Sequence, residues 1–350
     1  MLRKKITYKS LSPSSGFVLR SPLGGSNAPE HTGRVSTRLT ASDRISGVLV
    51  RWDIGRNRYL VKSGLYACGS PDSASPVLVT ANYKLTFDSV RKELGGQNLW
   101  ILVLDTHGVN VWCASGKGTF GTKELVKRIQ ASGLSKIVSH RELILPQLGA
   151  SGVAAHEVKK ESGFTVRWGP VYAKDIPEYL GNGKTKTARM KRVEFKLSDR
   201  LAVAPVEIAH AWPLLFITVA LSFLFSLSAK TAGASFFFSS LLSLTGGIFA
   251  GTVLFPVLMP FLPFRAFAAK GALLGLEWSV LSFAPFAHLS PGTLPVILLT
   301  VPLVSFLSMN FTGSSTFTCQ KGAELEVKWS LPFMILSSAS GILTGVLLWI

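Results

Sequence analysis

The pattern of apolar and polar positions changes near residue 205. Up to that point, short apolar runs alternate with polar stretches of helical spacing. "GVLVRWDI" (47–54) and "PVLVTANY" (76–83) read as strands, "FDSVRKELGG" (87–96) as a helix ended by glycine, and "LWILVLD" (99–105) as a strand apolar on both faces. "KELVKRIQASG" (123–133) reads as a further helix with Thr122 as its N-cap, "SKIVSH" (135–140) as a strand and "VRWGPVYA" (166–173) as another. Strands buried on both faces and separated by helices imply an α/β layer with a largely parallel sheet. Ligands in such sheets bind at the carboxyl ends of strands, which points to the loop after Asp105. Residues 1–45, rich in Ser, Gly, Pro and Arg, read as a mobile basic tail.

Beyond residue 205 the apolar runs reach the length that crosses a bilayer core, about 20 helical residues for roughly 30 Å. Five such stretches lie near residues 209–229, 234–258, 267–287, 293–311 and 331–350. The uncharged tract from Thr231 to Phe264 carries Pro256, Pro260 and Pro263, so its end is expected to kink or lie at the interface.

Charge separates the same two parts. Of the 37 Lys and Arg, 32 precede residue 205, as do 15 of the 19 Asp and Glu. Basic residues near span ends stay cytoplasmic, and "KTKTARMKR" (184–192), Arg265 with Lys270, and Lys321 with Lys328 fall on one side of a five-span arrangement; Lys230 is the exception. The N-terminal "MLRKKITYKSLSPSSG" lacks the apolar core of a signal peptide, so the first domain is expected in the cytoplasm, with the chain multi-pass in the inner membrane. Clustered positive charge raises nucleic acid as a partner, but the basic residues are scattered or lie beside the membrane, where anionic lipid accounts for them, and no nucleic-acid motif is present.

Three chemical readings compete for the loop after Asp105. Gly116, Gly118 and Gly121 spell G-x-G-x-x-G, but ten residues separate the pattern from the strand, and "GKGT" has Val111 and Gly118 where a P-loop needs Gly and Ser or Thr. A membrane-anchored nucleotide-binding or transport protein stays open on that weak pattern. Asp105, Thr106 and His107 match the first half of the D-x-H-x-x-G cobalamin motif, yet Asn110 stands at the glycine position, and a single histidine is more often a polar loop residue. Cys113 is far in sequence from Cys68 and Cys319, which excludes C-x-x-C, zinc and iron–sulfur spacings and leaves a small buried hydrophobe as the plain alternative.

The stretch "NVWCASGK" (110–117) resembles the signature of the mercury-methylating corrinoid protein family, membrane-anchored relatives of the large corrinoid iron–sulfur subunit of the acetyl-CoA pathway, with Ser115 as the single departure. The likeness extends through "RYLVKSGLYACGSPDSASPVLVTANYKLTFD", "ILVLDTHGVNVWCASGKGTFGT", "LPQLGASGVAAHEV" and "NFTGSSTFTC". It implies a Rossmann-like α/β corrinoid-binding domain over residues 46–204, followed by an all-α domain of about five transmembrane helices over 205–350. It implies that Cys113 is the lower axial ligand of a cobalamin-type cobalt, carried on a short helix with Asn110, Val111, Trp112, Ala114, Ser115, Gly116 and Lys117. In that reading the small side chains of Ala114, Ser115 and Gly116 let the flat macrocycle approach the backbone. Thr80 and Asn82, at the end of another strand, are expected to add contacts. Lys117 serves the corrin or partner docking, or is a solvated surface lysine.

The activity implied is transfer of a cobalt-bound methyl group to mercury(II), giving methylmercury under anaerobic conditions. A cysteine thiolate suits it, being a soft, strong donor that pushes electron density through a metal to the opposite face. The reductant implied is a ferredoxin-like protein with two four-iron clusters. The methyl donor stays open, a methyl-folate reached through a methyltransferase being one source. A corrinoid methyl carrier of one-carbon metabolism is the alternative. Glu277, an acid within the third apolar stretch, is a candidate functional or interfacial group, and Cys319 a candidate thiophilic relay.

Overall fold

The computed structural model describes residues 32–228, 233–284, 292–315 and 320–347. They divide into two units, one reaching Val50 and resuming from Ile54 to Val193, the other holding Arg51–Asp53 and the chain from Glu194 onward.

The first unit is a six-stranded mixed sheet with helices on both faces. In chain order its elements are β1 (Thr32–Val35), α1 (Ala41–Arg51), β2 (Gly64–Cys68), β3 (Val77–Ala81), α2 (Lys84–Arg91), β4 (Leu99–Leu104), α3 (Val111–Gly116) and α4 (Thr122–Ala131). Then follow α5 (Leu134–Ile137), β5 (Glu142–Leu145), α6 (Ala155–Ser162), β6 (Thr165–Trp168) and α7 (Ile176–Gly181). The sheet order is β1-β2-β4-β3-β5-β6. Strands β4, β3, β5 and β6 run parallel, as the sequence pattern implies, whereas β2 pairs antiparallel with β4 from Gly64↔Val103 to Cys68↔Leu99. The largely parallel expectation is therefore corrected at the β1–β2 edge.

The central strands are apolar on both sides because both sides are covered. Val77, Val79, Ala81, Leu102 and Leu104 pack with Phe120, Leu125 and Val158 on the face of α3, α4 and α6. Leu78, Ile101 and Val103 pack with Phe87, Ile176 and Tyr179 on the face of α2 and α7.

Several local expectations change. Residues 32–45 are not tail: β1 pairs parallel with β2, and α1 begins at Ala41, while residues 1–31 lie outside the described residues. The run at 47–54 is the end of α1 and a turn rather than a strand, because Gly47 and Val50 alone turn inward. "SKIVSH" holds the end of α5, and the strand starts later at Glu142. Thr122 is the first residue of α4 rather than its cap; Gly121 occupies that position and the Thr122 hydroxyl accepts from Ala154 N at 2.9 Å.

Helix α1 is fixed by charge. Asp43 accepts from Lys84 Nζ at 2.6 Å and Arg91 Nη2 at 2.8 Å, and Asp88 binds the same two cations. The segment "KTKTARMKR" is also partly committed within the fold: Lys184 pairs with Glu142, Arg189 with Asp175 and Glu178, and Met190 is fully buried. Lipid therefore does not account for those cations, as the sequence reading supposed.

The second unit is helical: α8 (Leu197–Leu201), α9 (Ala204–Ser228), α10 (Gly233–Phe249), α11 (Phe255–Leu258), α12 (Phe267–Phe283), α13 (Thr293–Met309) and α14 (Gln320–Leu347). A π-helical turn, Ala250–Leu254, joins α10 to α11, which ends at Leu258 before Pro260. Among the described residues, four helical stretches are long and apolar enough to cross a membrane: Leu197–Leu227, Ala234–Leu258, Thr293–Gly313 and Lys321–Leu347. The fifth expected span, 267–287, corresponds to α12, which carries Glu277 exposed; the end of that stretch, from 285, lies outside the described residues. Lys230 and Cys319 lie outside the described residues.

Candidate functional site

The parallel register Ala81↔Leu104 brings the residues after β3 and β4 side by side. Asn82, buried, donates from Nδ2 to Asp105 Oδ1 at 3.0 Å, and its Oδ1 accepts from Thr106 N at 3.1 Å and Gly108 N at 3.0 Å. The Thr106 hydroxyl lies 2.9 Å from Asn82 Oδ1 and 2.6 Å from Val109 O, so its single proton is shared between them. Asp105 N donates to Glu124 Oε1 at 2.9 Å, and Arg128 holds the same carboxylate at 2.6 Å. The turn at His107 and Gly108, with φ of 57° and 72°, is thus held from β3 on one side and α4 on the other. His107 is a largely exposed loop residue whose amide donates to Asp105 Oδ1.

Asn110 ends this turn and starts α3. Its backbone is extended and its Oδ1 accepts from Cys113 N at 2.9 Å, satisfying one of the amide donors a helix start leaves open. The helix has two faces. Val111, Ala114 and Ser115, spaced i, i+3, i+4, are buried, and Ser115 Oγ donates to Val111 O at 2.8 Å. Trp112, Gly116 and Lys117 are exposed, with Cys113 half-buried between them; Trp112 keeps 37% of its surface.

This divides the residues of the expected cofactor surface. Trp112, Cys113, Gly116 and Lys117 share the outward face. Ala114 and Ser115 do not; both are turned inward, and the backbone of Ser115 is met by a neighbouring loop. A Cβ on Gly152 would lie 2.2 Å from Phe120 O, 3.0 Å from Ser115 Cα and 3.1 Å from Ser115 O, so the 149–152 loop packs directly on the α3 backbone. Thr80 shares its sheet face with Leu78, the α2 side, opposite to α3; it is buried and its Oγ1 has no hydrogen-bond partner. Asn82 is spent on the loop.

The glycine pattern Gly116, Gly118, Gly121 lies in the turn between α3 and α4, where Gly118 has φ of 77°, a conformation side chains disfavour. It belongs to chain reversal rather than to a strand-to-helix phosphate turn. Cys68 is buried on the other sheet face, where burial pushes its thiol pKa up. Among the described residues no group of three or more His, Cys, Asp or Glu is placed to hold a metal ion.

Glu124 and Gly152 are absent from the sequence-based candidates, and Thr106 enters them only as the spacer of the Asp105–His107 motif. Glu124 carried a signal: a glutamate in the first turn of a helix ordinarily reads as a capping-box partner, and here it reaches Asp105 N instead.

Residues 55–180 match the family model described as CO dehydrogenase/acetyl-CoA synthase delta subunit. The chain is similar to the gamma subunit of the acetyl-CoA decarbonylase/synthase complex from Methanocaldococcus jannaschii, 34% identical over 133 residues, covering 37% of this chain and 27% of the relative. The corresponding subunit of Methanopyrus kandleri is 34% identical over 122 residues, with 34% and 26% covered. That of Archaeoglobus fulgidus is 33% identical with the same coverage. The chain spans about a quarter of the length of these curated relatives, and the apolar second unit lies outside the family match.

Proposed function

We propose that this chain is a membrane-anchored corrinoid protein that transfers methyl groups, with Cys113 as the side chain that would ligate the cobalt and mercury(II) as the methyl acceptor. The observation that carries the reading is the placement of Cys113. A single half-buried thiol stands on the outward face of an Asn110-capped helix, just past the carboxyl end of a parallel strand, inside the segment matched by the acetyl-CoA synthase family.

The residues present fit a corrinoid. Gly116 leaves the outward face of α3 flat one turn from Cys113, and Trp112 supplies an exposed apolar flank. When bound, the corrinoid supplies a cobalt centre that accepts and donates methyl groups. Cys113 would contribute a soft thiolate ligand, which would raise electron density at the metal. Asn110 holds the Cys113 backbone by its cap, and Asn82 and Glu124 hold the turn before it.

Mercury(II) as acceptor rests on the resemblance of "NVWCASGK". A second reading, a methyl carrier in one-carbon metabolism, is favoured by the relatives, whose names place them in the acetyl-CoA decarbonylase/synthase complex. Both readings need an electron donor, for which a ferredoxin-like protein with two four-iron clusters is proposed, and a methyl donor. Both place the α/β unit on the cytoplasmic side.

The test is the visible absorption spectrum of the full chain reconstituted with cobalamin, beside Cys113→Ala. The expected result is a bound corrinoid whose spectrum changes when the thiol is lost, and methyl transfer to mercury(II) that falls to background. Identical spectra, or full methylation by the alanine variant, overturn the assignment. Ligation with methyl transfer to a one-carbon acceptor but none to mercury(II) selects the second reading.

A further inference from the structure

Helix α1, with Trp52 just past its end, presents an apolar stripe that no described residue of the first unit covers. Ile45, Val48, Leu49 and Trp52 follow i, i+3, i+4, i+7 spacing and keep 61%, 55%, 41% and 43% of their surface. The opposite side of the helix is spent on the fold: Gly47 packs on Leu85, Val50 is buried, and Asp43 is turned in to Lys84 and Arg91.

Withdrawing Asp43 changes the charge of the outer side. Arg44 flanks the stripe on the helix, and Arg56 and Arg58 follow in the next turn, against one exposed acid, Asp53. An apolar stripe with a tryptophan, bordered by arginines, is what an interfacial helix needs to lie in the headgroup region of an anionic bilayer. The described residues of the same chain include four helical stretches of membrane-spanning length, so its α/β unit is covalently tethered to segments that can cross a bilayer.

We infer that the outer face of α1 docks on the anionic lipid surface of the membrane in which the chain is anchored. Ile45, Val48, Leu49 and Trp52 enter the interface, and Arg44, Arg56 and Arg58 meet the headgroups. Exposed aliphatic surface is thereby removed from water without a protein partner. The inference rests on the membrane-spanning helices and not on the corrinoid reading.

The test uses the full chain in bilayers of brominated phosphatidylcholine, alone or mixed with brominated phosphatidylglycerol, and reads tryptophan quenching. The difference between the native chain and Trp52→Phe isolates the signal of Trp52 from that of the other tryptophans. The expected result is a Trp52 signal quenched in the mixed bilayer and spared in phosphatidylcholine alone. Replacing Arg56 and Arg58 with Gln is expected to lower the engaged population roughly thirtyfold, at about a fivefold factor for each surface arginine. Val48→Asp, which alters only the exposed stripe, is expected to abolish the quenching. A Trp52 signal unquenched in both bilayers overturns the inference and leaves the face to a protein partner. Equal quenching with and without phosphatidylglycerol overturns the assignment to anionic lipid. Neither readout involves the corrinoid or methyl transfer, so this inference and the proposed function fail separately.

Discussion

Replacing Asn82 by alanine separates two roles for that residue. If Asn82 contacts a bound cofactor, its loss lowers cofactor affinity and leaves the cofactor-free chain unchanged. The hydrogen bonds assign it instead to the turn that leads into α3. Asn82→Ala strands the amide of Thr106, a fully buried residue, at about 1–3 kcal/mol. The Gly108 amide and the Asp105 carboxylate are more accessible and recover water, so they add less. The sum is about 2–4 kcal/mol of local stability. Native-state hydrogen exchange of the cofactor-free chain measures it directly, with the amides of residues 106–113 expected to exchange roughly thirtyfold faster or more. Asn82→Asp sharpens the test. It keeps the acceptor for Thr106 and Gly108 but sets a second carboxylate 3.0 Å from Asp105 Oδ1. Like charges raise the folded pKa of at least one of the pair, so that contribution is present below the usual carboxylate range and lost as pH rises through the raised value. The aspartate variant is therefore expected to loosen the turn at neutral pH and recover near pH 4. Unchanged exchange in Asn82→Ala refutes the positioning role.

Gly152→Ala places a Cβ 2.2 Å from Phe120 O, against backbone that cannot swing away; a loss of about 3 kcal/mol and weakened thiol ligation are expected, measured by denaturation and corrinoid absorption. Gly181→Ala, with nothing within 4 Å, is the control and stays within about 0.5 kcal/mol. Asn110→Ala removes the cap of α3, costs about 1 kcal/mol and speeds exchange of the Cys113 amide roughly fivefold, whereas Asn110→Ser retains most of the cap. Burial pushes the Asp43 carboxyl up, but hydrogen bonds from Lys84, Thr40 and Arg91 outweigh it and hold the pKa well below the usual range. Its contribution is thus present above the unfolded carboxylate value and lost as pH falls below about 4, so Asp43→Asn lowers stability by about 2 kcal/mol at neutral pH and flattens the acid limb of the stability curve.

The parts of the fold legible in the sequence are those whose cause is local. "VLVTA" and "LWILVL" are apolar without alternation because both sheet faces are covered, and that is visible in composition alone. The direction of β2 was not visible, since "GLYAC" is uniformly buried and no residue type distinguishes an antiparallel neighbour from a parallel one. The run "GVLVRWDI" misleads because Val and Ile favour strands, while the spacing of Ile45, Val48, Leu49 and Trp52 is helical; the spacing prevails once Asp43 and Gly47 fix the inner face to α2. At the site, Cys113 and its neighbours were found as a motif, but the packing of Gly152 on the Ser115 backbone is a contact that spacing along the chain does not reveal.

That contact bears on how a motif becomes a site. Helix α3 has six residues, far fewer than an isolated helix needs to persist in water. Its orientation is therefore imposed, by Asn82 and Glu124 through the turn before it and by Gly152 against its inner face. Each comes from a different part of the sheet's carboxyl edge: the end of β3, the first turn of α4 and the loop after β5. The outward direction of the Cys113 thiol is consequently a property of those three elements, and "NVWCASGK" supplies only the residues to be presented. Thr122 extends the same logic, because its hydroxyl ties the α4 start to Ala154, so the loop that seats α3 and the helix that anchors its turn move as one. A substitution at any of these positions touches no cofactor, yet each shifts the one group on which the proposed chemistry depends.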